Sequence, residues 1–200
     1  MCHEVTKTAR SMAMRIPERP DKEYPFLVRL IMWAQKKKYG ETLLPAKLWG
    51  RSPNLLYGLQ AFYRSIDRKS SPLEPSLRAL INVKVSQINH CSFCVDIGSA
   101  LLQKRGVSME KIMALPDYEK SPIFSERERL ALAYAEAMTR PEKGVDDLLF
   151  QRLSKQFNED EIVELTALIG YQNLSSKFNA ALNIPSQGFC LPQSPKSKGD

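Results

Sequence analysis

The most informative stretch of the chain is residues 88–100, which read INHCSFCVDIGSA. It holds two of the four cysteines and one of the two histidines. Cys91 and Cys94 form a CxxC pair, and the residues after it sort apolar and polar groups at helical spacing. Asn89 is a common type of N-cap residue, so we expect the CxxC to occupy the first turn of a helix. Residues three apart share a helix face, so the two sulfur atoms can meet and form a disulfide.

The predicted position of the CxxC favours a reactive thiol. Free N–H groups and the positive end of the helix dipole stabilise a thiolate in the first turn. His90 adds positive charge when it is protonated. A redox-active dithiol is one interpretation, and the others are two cysteines that only pack in a core and half of a zinc site. Because Cys2, Cys190, His3 and His90 do not supply a second ligand pair of the usual spacing, we expect no metal.

Composition limits the class of protein. The chain has 200 residues, of which 43% are hydrophobic and 26% charged, as in a soluble globular domain. It has no apolar run of ~18 residues and no secretory signal, so we expect a cytoplasmic protein without a membrane partner. In a reducing compartment a CxxC is more often catalytic than structural.

The net charge is +7. We interpret its concentration in residues 1–51 as a solvated basic face and expect no nucleic-acid partner.

Hydrophobic periodicity predicts an all-α fold of about seven helices and no strand. The pattern is clearest over residues 24–38, 53–66, 75–87, 91–105, 125–138, 145–157 and 159–182. Capping boxes open two of these helices, Ser125 with Glu128 and Asn158 with Glu161. We expect three parts: an N-terminal arm (1–20), a helical domain (21–185) and an irregular C-terminal tail (186–200).

Residues 85–100 resemble the CxxC region of the AhpD-like (alkylhydroperoxidase D) branch of the carboxymuconolactone decarboxylase superfamily. Residues 125–135 and 158–179 are similar to later core helices of that family, and 182–190 to the tails of longer members. The resemblance, over about 25–190, implies an all-helical homo-oligomer with thiol-dependent peroxidase chemistry and no cofactor. It also implies that Cys94 attacks the peroxide and that Cys91 then closes a redox-active disulfide, which an outside reductant reopens. The helix-dipole argument would instead favour Cys91 as the nucleophile.

The sequence departs from the family pattern at two positions. The family's peroxidases have a histidine four residues after the second cysteine, where this chain has Gly98, and a glutamate twelve residues before the first, where it has Ala79. Those two groups form the proton relay of the family, which is general acid–base chemistry. His90 is our candidate replacement. We interpret Asp96 as a surface group, Lys84 as a lysine that snorkels out of an apolar helix face, and Glu74 as a distant alternative. We expect Cys2 and Cys190 to be free thiols on flexible ends.

Two functions from different classes are consistent with these residues. The first is an antioxidant oxidoreductase that reduces small hydroperoxides, with Cys94, Cys91 and His90 as catalytic residues and a protein or small thiol as reductant. Its activity should be weak, because Ala79 and Gly98 carry no titratable side chain. The second is a non-enzymatic thiol redox sensor or partner-binding helical protein. Lactone decarboxylation is disfavoured, because that branch of the superfamily generally does not depend on a CxxC.

Overall fold

The computed structural model describes residues 14–190, and these fold into nine α-helices and two 3₁₀ turns without any β-strand. The all-α prediction is therefore confirmed. No helix in this range is both long and apolar enough to cross a lipid bilayer. The α-helices are α1 (Phe26–Tyr39), α2 (Leu44–Trp49), α3 (Pro53–Ile66), α4 (Pro75–Ile88), α5 (Ser92–Lys104), α6 (Met109–Ala114), α7 (Glu126–Thr139), α8 (Asp147–Ser154) and α9 (Glu159–Ala181).

Local sequence signals account for most helix ends. Prolines occupy the first turn of α3 and α4, where a missing N–H costs nothing. Both predicted capping boxes are present, and they open α7 and α9. Gly40 ends α1 in the left-handed conformation at φ 88°, which glycine adopts without strain. These ends are fixed by local chemistry, so they could be predicted.

The core is built around α4, which packs against α5, α7 and α9. Nine of its fourteen residues are buried, so its apolar surface continues around most of its circumference. A helix enclosed in this way must also bury polar side chains, and Arg78, Lys84 and Ser86 are buried on α4. The principal core residues of α4 and α9 are Leu80, Ile81, Val83, Val85, Leu165, Leu168 and Ile169.

Helix α2 is an element that the periodicity did not predict. Its six residues are too few to show a helical repeat, although Ala46, Leu48 and Trp49 are all buried. The Trp49 ring stacks on Phe178 of α9, with ring centroids 3.7 Å apart. Helix α2 therefore joins the N-terminal helices to the end of α9, beside the CxxC.

Candidate functional site

Cys91 and Cys94 are joined by a disulfide, with Cα atoms 5.3 Å apart. This agrees with the expectation that the two sulfurs can meet. Cys91 is the N-cap of α5, and its sulfur accepts a hydrogen bond from the Cys94 N–H at 3.2 Å. The first turn of α5 thus directs a backbone donor at the Cys91 sulfur.

The junction between α4 and α5 differs from the prediction. The sequence suggested one helix running into the next with Asn89 as the N-cap, whereas Asn89 is the C-cap of α4. His90 follows in the left-handed conformation at φ 53°, which breaks the helix before Cys91. The Asn89 side chain instead donates to Asn173 Oδ1 at 2.9 Å and Ser176 Oγ at 2.8 Å. Asn89 therefore anchors the CxxC turn to α9.

The two sulfur atoms have different surroundings. Cys91 is 1% exposed and packs in an apolar cluster with Leu48, Phe93 and Ile184. Cys94 lines a large cavity, and Cys91 is not among the cavity residues. The Cys94 sulfur also accepts a hydrogen bond from Nδ2 of Asn179, on α9, at 3.2 Å. Both cysteines are buried, Cys94 at 6% exposed, but only Cys94 lines the cavity.

The cavity beside Cys94 has a volume of about 1410 Å³ and is lined by α1, α2, α3 and α5, with residues of α4 and α9 also along its wall. Ala79 and Gly98, which stand where the family has its relay, both line it. Gly98 is held close to α4, since a Cβ added there would lie 2.8 Å from Val83 Cγ2. Burial raises the pKa of the wall residues Tyr63 and Tyr171, so their hydroxyls stay protonated and are hydrogen-bond donors rather than bases.

Asp96 does not lie on the surface, as the sequence suggested, but is 5% exposed. Its carboxylate accepts four backbone N–H groups, from Gln187, Gly188, Phe189 and Cys190, at 2.6–3.0 Å. A concave row of backbone donors of this kind is a typical anion site. Phe189, held by these bonds, lines the cavity and contacts the rings of Phe93 and Tyr39. Asp96 thus fixes the segment after α9 over the CxxC.

The other side chains considered from the sequence lie apart from the sulfurs. His90 is exposed and is not among the described residues that line the cavity. Glu74 is exposed and pairs with Arg127 at 3.3 Å. Lys84 does not snorkel to the surface as predicted, because its amino group forms a buried ion pair with Glu136 at 3.5 Å. Burial lowers the pKa of Lys84, and the Glu136 carboxylate opposes this shift only in part.

The remaining cysteines carry one correction. Cys190 is disulfide-bonded, so the prediction that it is a free thiol is wrong. Cys2 and His3 lie outside the described residues. Within residues 14–190, no three His, Cys, Asp or Glu side chains are grouped in a way that could hold a metal ion.

Asn179 and the role of Asp96 were missed by sequence reasoning. Asn179 is 85 residues from Cys94 in the chain, and nothing local marks it as a sulfur ligand. The only signal was that an asparagine falls in the buried face of α9, where it is 1% exposed. A buried amide requires hydrogen-bond partners, so its position could have been singled out but its partner could not.

Comparison with known proteins agrees with this architecture. The model of the carboxymuconolactone decarboxylase family matches residues 53–137, from α3 into α7. YnjA of Escherichia coli K12, an uncharacterized protein, is 44% identical over 171 residues, which are 86% of this chain and 94% of YnjA.

Two solved structures share the fold. An AhpD-core, peroxidase-related protein from Ralstonia eutropha JMP134 has a TM-score of 0.80 at 20% identity, over 89% of this chain and 95% of that one. A protein of unknown function from Agrobacterium tumefaciens, with antioxidant defence and AhpD in its name, has a TM-score of 0.66 at 29% identity. That match covers 70% of this chain and 94% of the Agrobacterium chain. The chain belongs to the AhpD-like branch of the carboxymuconolactone decarboxylase family.

Proposed function

We propose that this protein is a thiol-dependent oxidoreductase that reduces hydroperoxides through Cys91 and Cys94. The observation that carries the proposal is the asymmetry of the pair: Cys94 faces a cavity and accepts a side-chain donor, while Cys91 is sealed behind it. A sulfur that meets substrate needs open space, and one that only closes a disulfide does not. The geometry therefore supports Cys94 as the peroxide-facing thiol.

The proposed cycle has three steps. The Cys94 thiolate attacks the terminal peroxide oxygen, the O–O bond breaks, and the leaving alkoxide takes a proton to become an alcohol. Cys91 then attacks the sulfenic acid of Cys94, and water leaves as the disulfide forms. An outside dithiol, from a protein or a small molecule, returns two electrons and two protons to the pair. The disulfide in the structure corresponds to the state after the second step.

Weak turnover follows from the residues beside Cys94. Asn179 can hold a thiolate through its N–H, but an amide does not supply a proton to the leaving alkoxide. Ala79 and Gly98 have no titratable group, so that proton must come from water, from a wall tyrosine or from His90. His90 is exposed, so a direct role would require substrate or a partner subunit to reach it.

A second candidate function is a redox sensor that forms the disulfide without rapid turnover. The absence of the family's relay side chains at positions 79 and 98 favours it. In this case oxidation of Cys94 would be slow and stoichiometric, and the response would reach a partner protein through the segment that Asp96 holds over the CxxC. A reducing cytoplasm would reset either function.

The test is peroxide consumption by the purified protein with a generic dithiol reductant. We expect continuous turnover by the wild type, none by Cys94→Ser, and a loss of turnover in Cys91→Ser as well. His90→Ala should slow turnover if the imidazole supplies the proton and leave it unchanged if it does not. A single stoichiometric burst in the wild type would support the sensor, and consumption by Cys94→Ser equal to that of the wild type would refute both candidates.

A further inference from the structure

One face of α5 runs along the cavity from the sulfur to the far end of the helix. Cys94, Ile97, Gly98, Leu101 and Arg105 all line the cavity, and their spacing is that of a single helix face. At about 1.5 Å per residue this face is about 16 Å long. The cavity is therefore an elongated groove with the Cys94 sulfur near one end.

Apolar side chains form the middle of the groove. They come from α5 as Ile97 and Leu101, from α3 as Leu56 and Leu59, and from α1 as Leu30, Ile31 and Ala34. The small side chain of Ala79 and the backbone of Gly98 line the groove near the sulfur. A groove of this length and lining fits a hydrocarbon chain better than hydrogen peroxide or a compact alkyl peroxide.

Besides Lys38 of α1 and Arg105, two cations line the groove near its end away from Cys94. Arg105 at the end of α5 binds Asp67 at the end of α3, at 2.9 and 3.0 Å, which brings the C-terminal ends of the two helices together. Arg64 and Lys104 lie in these last turns, are exposed and line the groove. Neither forms an ion pair with a carboxylate of residues 14–190, whereas Asp67 is already neutralised by Arg105 and Arg78. Lys104 thus lies about 15 Å along the α5 axis from Cys94, and Arg64 lies in the last turn of α3, the end that Arg105 joins to α5.

Unpartnered amide oxygens lie along the wall of the groove. Asn179, which is 1% exposed and donates to Cys94, has no hydrogen-bond partner for Oδ1 among the described residues. Asn82 of α4 also lines the groove, and its buried Oδ1 is likewise without a partner there. Buried acceptors usually have a donor. The O–H of a hydroperoxide is a donor of the kind that either oxygen lacks.

We propose that this groove binds a long-chain carboxylic acid hydroperoxide, with the carboxylate at Arg64 and Lys104 and the peroxide beside Cys94 and Asn179. The peroxide would stand about a dozen chain atoms from the carboxylate, as the length of the groove requires. Reduction of the bound peroxide rests on the proposed function and follows the same three steps. Binding of the hydrocarbon chain in the groove does not depend on that function.

The binding test uses ligands without a peroxide on the disulfide form of the protein. Calorimetry should show decanoate binding more tightly than decanol, a neutral chain of the same length, and the advantage should fall as salt is raised. Arg64→Gln with Lys104→Gln should weaken decanoate about fivefold to tenfold, as expected for two exposed charges, and leave decanol unchanged. The matched control is Arg29→Gln with Lys177→Gln, which removes the same charge from exposed positions outside the groove and should change neither ligand. Equal binding of decanoate and decanol, or an equal effect of both double variants on decanoate binding, would contradict the proposed carboxylate site in the groove.

The kinetic test compares linoleic acid hydroperoxide with its methyl ester. We expect kcat/KM to favour the acid in the wild type and in the Arg29/Lys177 control, and the acid-to-ester ratio to approach one in the Arg64/Lys104 variant. If decanoate binds as described but no peroxide is consumed, the proposed function is wrong and the groove remains a binding site for a long-chain acid. If small peroxides are consumed, but decanoate does not bind and kcat/KM is equal for the acid and its ester, the proposed binding in the groove is wrong. The proposed function would then still hold.

Discussion

Cys94 and Cys91 lie in the same helical turn, but their sulfur atoms have different neighbours. As N-cap, Cys91 already receives a backbone N–H, so the helix-dipole argument alone would choose it as the nucleophile. A peroxide must also reach the sulfur, and Cys91 is packed among Leu48, Phe93 and Ile184 and does not line the cavity. Access and the Asn179 donor both point to Cys94.

Removing the Asn179 donor should make the Cys94 thiol less acidic. In Asn179→Leu the thiolate loses a hydrogen bond worth roughly 1.5–3 kcal/mol, which is about one to two pH units. Because the lost bond stabilised the charged form, the midpoint of Cys94 alkylation against pH should move upward. Mass spectrometry of the Cys94 peptide in a Cys91→Ser background measures it. Ser175→Ala, which also lines the cavity, is the control, and an unchanged midpoint in Asn179→Leu would show that the bond has no effect on the thiol.

Restoring the family histidine at position 98 should cost stability. A Cβ at Gly98 would meet Val83 Cγ2 at 2.8 Å, so Gly98→His forces the core apart. Overpacking of this kind costs about 1–3 kcal/mol, and Val83→Ala on the same chain should recover part of it. Urea unfolding of the single and double variants tests this. An undiminished stability of Gly98→His would mean that α5 moves away from α4 freely.

At the level of residues, the sequence was sufficient for the pairing of Cys91 with Cys94 and for the absence of the relay side chains. Both are local patterns or single positions. Asn179 and Asp96 required knowledge of which elements meet, because their partners are 85 and more than 90 residues away. Lys84 was misassigned for the same reason, since its burial depends on α4 being enclosed on nearly all sides.

Among the elements, the segment after α9 is held by a single side chain of α5. Asp96 accepts four backbone N–H groups of residues 187–190, and its replacement by asparagine would leave several of these donors poorly matched. We expect Asp96→Asn to lower the free energy of unfolding by at least about 2 kcal/mol. Hydrogen exchange of the amides of 187–190 should accelerate more than that of the α4 amides.

The matched control for this change is Asp117→Asn, an exposed carboxylate in the second 3₁₀ turn. It should leave the exchange of the 187–190 amides as in the wild type. Exchange in Asp96→Asn that matches the wild type would contradict the assigned role of Asp96.

Helices with strong end signals were predicted to within a few residues, and the failures occurred where such signals were missing or misleading. Helix α2 has six residues and no repeat to detect. The break at Asn89 and His90 was hidden because apolar positions continue at helical spacing through it. A left-handed His90 costs about 1–2 kcal/mol, which tertiary contacts such as those of Asn89 with α9 can offset.

For the whole molecule, exposed apolar side chains predict a homo-oligomer. The alanine-rich α7 is largely buried in the core of its own chain, so it offers little free apolar surface. Helix α1 does, with Phe26 73%, Leu27 55%, Leu30 47% and Trp33 57% exposed, and Leu55 and Phe62 of α3 are also exposed. Patches of this kind usually mark interfaces.

Trp33→Glu should therefore convert the oligomer to a smaller species by placing a charge in the patch of α1. Light scattering at micromolar concentration measures the mass, and Met109→Glu, on exposed α6, is the control that should leave it unchanged. A wild-type protein that is already monomeric would contradict the prediction.

The central claim, that Cys94 is the thiol that meets the peroxide, is tested most directly by locating the first oxidised sulfur. Reduced Cys91→Ser protein is given one equivalent of hydroperoxide in the presence of a sulfenic-acid trap, and its peptides are measured by mass spectrometry. The account predicts the trapped adduct on Cys94, no adduct on Cys91 in the matching Cys94→Ser protein, and a Cys91–Cys94 disulfide in the wild type. An adduct on Cys91 in Cys94→Ser together with an unmodified Cys94 in Cys91→Ser would contradict it.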